Sequence, residues 1–458
     1  MTTGLDRARA KLAQAGASDA ALEVFAHYYG EVSGGGGGFI REASLTPLTD
    51  VPRLASVQVD PDAARDALAR TVLIKLNGGL GTSMGLDGPK TLLPVRGDRT
   101  FLDVIVEQVL LARRHYDARL PLLFMNSFRT REATLAHLSR YPDLEVEGLG
   151  VDFLQGFEPK LVRDTLEPVE WPADPSLEWC PPGHGDVYTA LVGTGLLDAL
   201  LERGFSYVSI ANGDNLGAGP DATLAGWFAG TGAPYAAEVC LRTPNDRKGG
   251  HLAVRNADGR LILRDTAQTA LEELDFFTDE HRHPYFHANN LWLDLAALKA
   301  LMAERRNVLG LPLIRNEKTV DPSDPTSTPV VQLETAMGAA IEVFAGARAI
   351  AVERDRFLPV KTTNELLLVR SDAFGLDDRG RLLSAMDKLP AISLDKRFYS
   401  LLPQFDARMK VVPSLREATS LTVEGDWTFD SPVRVVGDAH LADPGEPRRV
   451  PAGLLGDA

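Results

Sequence analysis

The sequence predicts an α/β protein built on a mostly parallel sheet, with a helical segment before it and a short β-rich segment after it. Three observations carry this. The apolar run Val72 to Leu76 ends in the glycine-rich loop Asn77-Gly78-Gly79-Leu80-Gly81-Thr82-Ser83-Met84-Gly85, as a buried parallel strand does when it delivers a loop at its C-terminal end. Further short apolar runs, Leu122 to Met125, Val151 to Leu154 and Tyr207 to Ile210, alternate with helix-like stretches. A length of 458 residues, 44% hydrophobic and 24% charged, suits a globular protein of two or three domains. We divide the chain into residues 1–70, 71–365 and 366–458.

The first segment carries helix-like stretches at Arg7 to Ala15 and Ala20 to Tyr29, followed by the run Gly34 to Gly38, which reads as a linker because no strand or helix positions it as a phosphate loop. No apolar run reaches the roughly 18 residues of a membrane span, so a cytoplasmic protein is expected. Cys180 and Cys240 form no metal-ligand spacing and allow at most one disulfide. A formal charge of −15 argues against a nucleic-acid surface and repels phosphorylated ligands at long range. Any anion site must therefore be made locally.

The glycine loop is the candidate for that site. Four glycines between positions 78 and 85 let backbone N–H groups approach an anion. Two familiar phosphate motifs fail on spacing. A dinucleotide fingerprint beginning at Gly79 and Gly81 needs glycine at Met84, and Gly85 comes one residue late. A P-loop needs glycine directly before lysine, whereas Pro89 separates Gly88 from Lys90. Neither a dehydrogenase nor a Walker-type NTPase is favoured.

Downstream, Thr100 to Asp103 opens a helix with a capping-box pattern. The strand ending at Leu154 delivers Gln155. Five prolines between Pro168 and Pro182 mark an irregular connection, which ends in Pro181-Pro182-Gly183-His184-Gly185-Asp186 before a helix predicted over Val187 to Leu201. Read alone, His184 between two glycines is equally a simple helix cap. The next strand delivers Asn212-Gly213-Asp214-Asn215. Asp214 suits a Mg²⁺ ligand, although the same residues also make an ordinary turn.

Arg247-Lys248-Gly249-Gly250 precedes a hairpin, His251 to Arg255 and Arg260 to Arg264. The strand Phe286 to Trp292 carries Asn289 and Asn290. His281, His283 and His287 lack the partners of a metal site. Gln332 to Ala340 reads as a helix rich in small residues, and Arg356 to Thr363 holds Lys361 in an apolar, proline-fixed turn. Beyond them, Leu421 to Val423, Trp427 to Phe429 and Val433 to Val436 are short β-like runs, as in a solenoid of parallel coils.

Taken in order, Asn77 to Gly85 with Gly88-Pro89-Lys90, Pro181 to Asp186, Ala211 to Gly217, Gln332 to Ala340 and Arg356 to Thr363 closely resemble the motifs of the eukaryotic-type UTP–glucose-1-phosphate uridylyltransferases (UDP-glucose pyrophosphorylases). The resemblance runs from about Val72 to Phe429. It implies a Rossmann-like, GT-A-like nucleotidyltransferase domain of mixed, mostly parallel sheet, with a short left-handed β-helix-like end. It also implies Mg²⁺-dependent, reversible uridylyl transfer from UTP to glucose 1-phosphate.

On that resemblance Lys90 and Lys361 are catalytic. Leu76, Asn77, Gly78, Gly79, Lys90, Gln155, Gly183, Asp214 and Lys361 bind the nucleotide, with Asp214 on the metal. Gly78, Gly79, His184, Asn212, Gly213, Asp214, Gly250, Asn289 and Asn290 face the sugar phosphate. Alternatives are a UTP-dependent pyrophosphorylase for galactose or N-acetylglucosamine 1-phosphate, and a non-catalytic sugar-nucleotide sensor. The expected partners are small molecules, with neither nucleic acid nor membrane, and the expected state is a monomer or dimer.

Overall fold

The computed structural model describes residues 3–36, 38–86, 88–243, 246 and 249–457. Gly37 of the glycine run, Asp87 of the loop, and Arg247 and Lys248 before the hairpin lie outside the described residues. Among those described, ten strands form the central sheet: β1 (Leu45–Pro47), β2 (Thr71–Asn77), β3 (Leu122–Asn126), β4 (Asp152–Leu154), β5 (Tyr207–Asn212), β6 (Tyr235–Leu241), β7 (His251–Arg255), β8 (Leu261–Arg264), β9 (Tyr285–Asp294) and β10 (Arg348–Ala351). The main order is β1-β7-β9-β5-β2-β3-β4, with β6 on β9, β10 on β6 and β8 on β7.

Strands β5, β2, β3 and β4 run parallel, so their C-terminal ends, Asn212, Asn77, Asn126 and Leu154, form one edge. A parallel sheet covered on both faces has its ligand crevice there. Alternation along β2 sends Val72 and Ile74 into one core, with the helices Val187–Gly193, Leu196–Glu202 and Leu295–Glu304. Leu73 faces the other core, with Phe101–Tyr116 and Ala222–Thr231. The helix Phe101–Tyr116 starts where Thr100 and Asp103 complete the expected capping box.

The N-terminal helices Gly4–Gln14 and Asp19–Ser33 pack on a small sheet of Leu161–Val162, Leu313–Thr319 and Pro329–Thr335. That sheet corrects one expectation. Gln332 to Ala340 is not a helix but the end of the strand Pro329–Thr335 followed by a 3₁₀ stretch, Met337–Glu342. Val330 and Val331 begin a run of buried residues that pairs with both Leu313–Thr319 and Leu161–Val162, and this pairing outweighs the helix propensity of the small residues after it. The helix predicted over Val187 to Leu201 is broken in two at Gly195, which is left-handed (φ 71°).

After residue 366, Ala391–Leu394, Ser414–Val423, Val433–Leu441 and Gly453–Leu455 pair in parallel, each with the next. Their apolar side chains join the core around Leu73 and Phe101–Tyr116, so this segment packs on the sheet domain. Cys180 and Cys240 are both free and buried. No helix among the described residues is long and apolar enough to cross a membrane.

Candidate active site

A cavity of about 390 Å³ opens at the C-terminal ends of β5, β2 and β3. Its wall gathers Leu76, Asn77, Gly78 and Gly79 from the end of β2, Lys90 and Thr91 from the turn beyond, and Gln155 after β4. Gly183 and His184 come from the proline-rich connection, and Asn212, Gly213 and Asp214 from the end of β5. Residues far apart in sequence thus meet because each directly follows a strand or loop that ends on one edge.

Each is held by identifiable contacts. The Asn77 amide donates to Asn126 Oδ1 (2.7 Å) and Thr134 Oγ1 (2.9 Å) and accepts from Thr91 Oγ1 (2.6 Å), so it braces the loop and leaves the cavity to the backbone. Ser127 Oγ donates to the Gly78 carbonyl (3.0 Å). The Gln155 amide lies across Gly78, where a Cβ would stand 2.7 Å from Gln155 Cδ. Gly183 has φ 80° and ψ 175°, which side-chain-bearing residues rarely adopt, and a Cβ there would meet Thr335 backbone N at 2.7 Å. This close approach requires glycine at Gly183.

Lys90 Nζ contacts Asp214 Oδ2 at 2.7 Å, with both side chains about one-fifth exposed. A cation and a carboxylate therefore stand paired at the glycine loop. His184 Nδ1 accepts the Met337 N–H (2.9 Å), which leaves the proton on Nε2. Burial pushes the His184 pKa down to about 4, so the ring is a neutral donor near pH 7. Asp186, two residues on in the same 3₁₀ turn, accepts the Gly156 N–H, and burial pushes its carboxyl up to about 6.

Four expected residues are not on this wall. Lys361 is exposed and lines a neighbouring cavity of about 440 Å³, although Val360 N–H donates to the Asp214 carbonyl (3.4 Å) and places Lys361 one residue from that contact. The Gly250 carbonyl accepts the His287 N–H (2.8 Å). Asn289 has φ 54° and donates its N–H to His287 Nδ1 (3.0 Å). Asn290 is a correction. It is fully buried, its amide donates to Glu238 Oε2 and the Arg356 carbonyl, and its oxygen accepts from Asn215, so no polar atom remains for a sugar.

The sequence reading missed this buried polar group, which also includes Lys75. Lys75 Nζ donates to the carbonyls of Asn215 (3.4 Å) and Ala218 (2.8 Å), and burial pushes its pKa down to about 7. The available signal was a charged residue inside an apolar strand, at Lys75 in β2 and Glu238 in β6. His283 contacts Glu42 and stacks on His251, and no group of three or more His, Cys, Asp or Glu able to hold a metal occurs among the described residues. A larger cavity, about 450 Å³, shares Gln155 but has no Lys or Arg on its wall, so it is not the anion site.

Comparisons with known proteins point to one family. Residues 24–435 match the model of the UTP–glucose-1-phosphate uridylyltransferase family. The chain is 38% identical to the potato (Solanum tuberosum) protein of that name over 406 residues, 87% of this chain and 83% of the relative. It is 41% identical to the Saccharomyces cerevisiae protein over 386 residues, 82% and 76% of the two chains. A point mutant of UDP-glucose pyrophosphorylase from Leishmania major, solved in complex with UDP-glucose, superposes with a TM-score of 0.92 at 39% identity, covering 98% of each chain. A structure from Trypanosoma brucei gives 0.89 at 40% identity, covering 99% of this chain and 98% of its own.

Proposed function

The chain belongs to the UTP–glucose-1-phosphate uridylyltransferase family, and from that premise we infer that it transfers the uridylyl group of UTP to glucose 1-phosphate, giving UDP-glucose and pyrophosphate. The observation that carries the reading is the Lys90–Asp214 pair facing the Gly78–Gly79 loop in one cavity at the ends of the parallel strands.

In this reaction a phosphate oxygen of glucose 1-phosphate attacks the α-phosphorus of UTP. The new P–O bond forms in line with the bond to the bridging oxygen, which breaks and leaves with pyrophosphate. Both reactants are anions and no covalent step on the protein is needed, so positioning and charge neutralisation make up the catalysis. Leu76, Asn77, Gly78 and Gly79 offer backbone to the nucleotide, and Gln155 and Gly183 hold the uracil. Lys90 meets the triphosphate, while neutral His184 and Asn212 orient the sugar phosphate. Lys361, beside the Asp214 loop, neutralises the charge that grows on the phosphate during attack.

The donor set fits Mg²⁺ held jointly by protein and substrate. One carboxylate, Asp214, faces the cavity, and that ion commonly takes one or two carboxylates with phosphate oxygens and water. Bound there, it neutralises phosphate charge and orients the leaving group. We also propose a cytoplasmic monomer or dimer whose parallel strands after residue 366 form a short left-handed β-helix-like end.

The test is pyrophosphate release across a panel of sugar 1-phosphates and nucleoside triphosphates. UTP with glucose 1-phosphate is expected to be fastest. A preference for galactose or N-acetylglucosamine 1-phosphate would reassign the substrate, and sugar-nucleotide binding without turnover would make the protein a sensor.

A further inference from the structure

Beneath the cavity, three segments of the chain meet at one buried side chain. Asn215 directly follows Asp214 and is 2% exposed. Its Oδ1 accepts two backbone N–H groups, from Gly217 (3.1 Å) and from Leu358 (2.8 Å). Its Nδ2 donates to Asn290 Oδ1 (3.0 Å) and to the Arg356 carbonyl (3.1 Å). All the hydrogen-bonding capacity of the amide is used, and the two N–H donors fix which end is oxygen.

The partners come from separate parts of the chain. Gly217 belongs to the Asp214 loop, Asn290 to β9, and Arg356 and Leu358 to the stretch that leads into Lys361. A backbone bridge between Asn215 and Pro359 and the Val360 N–H to the Asp214 carbonyl continue the same junction. Behind it, Glu238 is fully buried and receives Arg356 through two bonds of 2.8 Å, Asn290 Nδ2 at 3.0 Å and Trp292 Nε1 at 2.9 Å. Burial alone would raise the Glu238 pKa, but Arg356 holds the carboxyl below its ordinary value. Arg356 Nη1 also donates to the Gly219 carbonyl (3.0 Å), which returns the network to the loop after β5.

We propose that Asn215 is a positioning residue that fixes Asp214 and Lys361 relative to one another, and that the Glu238–Arg356 pair holds Asn215 in place through Asn290. The proposal rests on the activity inferred above. Asn215 touches no substrate; it acts through the two residues it joins. A misplacement of about 1 Å in such a constellation costs on the order of a hundredfold in rate, whereas a side chain that serves only folding lowers the amount of active protein and leaves the rate of the folded fraction unchanged.

The experiment is a kinetic cycle of Asn215→Ala, Lys361→Ala and the double variant, each at a temperature where circular dichroism shows it folded. Asn215→Ala is expected to lower kcat by about 10- to 100-fold with KM for UTP within about threefold, because the loss falls on the transition state. In the Lys361→Ala background the same change is expected to cost less than about twofold, because interacting residues are not additive. Equal loss in both backgrounds, or kcat within about twofold of the unaltered protein, overturns the proposal. If Asn215→Ala does not fold, Asn290→Ser removes the acceptor for Asn215 from the other side and is read by the same criteria. Turnover of the unaltered protein tests the inferred activity separately, since the cycle is read only as ratios to it.

Discussion

Gly78→Ala is expected to weaken UTP binding without weakening the fold. Gly78 is not among the residues at positive φ, so alanine fits its backbone, and the change stabilises the native state by up to about 1 kcal/mol through the unfolded chain. The new Cβ stands 2.7 Å from Gln155 Cδ and 2.9 Å from Nε2, too close for any real contact. Both atoms are the far end of a flexible side chain, so the amide swings away. The hydrogen bond to uracil proposed for it is then lost and a buried polar atom of the base is left unpaired, a cost of about 1–3 kcal/mol. That corresponds to a rise in KM for UTP of about 5- to 150-fold. Pyrophosphate release at saturating glucose 1-phosphate measures it, with thermal melts as the control for folding. Gln155→Ala should give a similar rise, and adding Gly78→Ala to it should add little, because both act on the same contact. An unchanged KM for UTP in a folded Gly78→Ala protein would falsify the place given to Gln155.

Gly183→Ala should behave oppositely. Its Cβ meets the Thr335 backbone at a φ of 80°, so strain of about 1–3 kcal/mol falls on the fold and the urea midpoint drops; an unchanged midpoint refutes the close approach. EDTA should abolish turnover and MgCl₂ restore it, and Asp214→Asn should need more Mg²⁺ for half-maximal rate; full turnover after EDTA overturns the role of Asp214. Acid should destabilise the protein. Buried His251 and His287 are pushed down to about 2 and about 4, below the unfolded value, so the unfolded chain binds more protons as pH falls from about 6.5 and each costs about 2 kcal/mol by pH 5. Asp186, raised to about 6, gains stability over the same range and offsets about 1 kcal/mol. Urea unfolding at pH 7 and pH 5 gives the sign, and equal or greater stability at pH 5 refutes the burial argument.

The central strands and the loops that follow them were legible because their signals are local. In β2 a run of buried residues ends at Asn77, and in β5 at Asn212; the residues after each must lie at the crevice once the strands are parallel. Lys90, Gln155, Gly183 and Asp214, expected from the same rule or from the ordered motifs, line one cavity. The polar group beneath was not legible, because a charged residue in an apolar strand announces burial without naming its partner. Glu238 and Arg356 are 118 positions apart, and only β10 and the stretch after it bring them together.

Asn289 and Asn290 show why side-chain direction was the harder part. Adjacent residues on a regular strand point to opposite faces, so the two amides could not both face a sugar. Period-two alternation does not say which one turns inward, and here the period itself breaks. Ala237 and Val239 of β6 pair with Leu291 and His287 of β9, so two residues on one strand span four on the other, and the excess is taken up where Asn289 adopts φ 54°. The bulge turns Asn290 into the Glu238 network and leaves Asn289 beside His287. Irregular backbone of this kind depends on the facing strand, and that strand lies some fifty residues away in the sequence. It is therefore at the bulge that a tertiary contact, invisible to any local pattern, decides which of two identical side chains joins the Glu238 network and which stays beside His287.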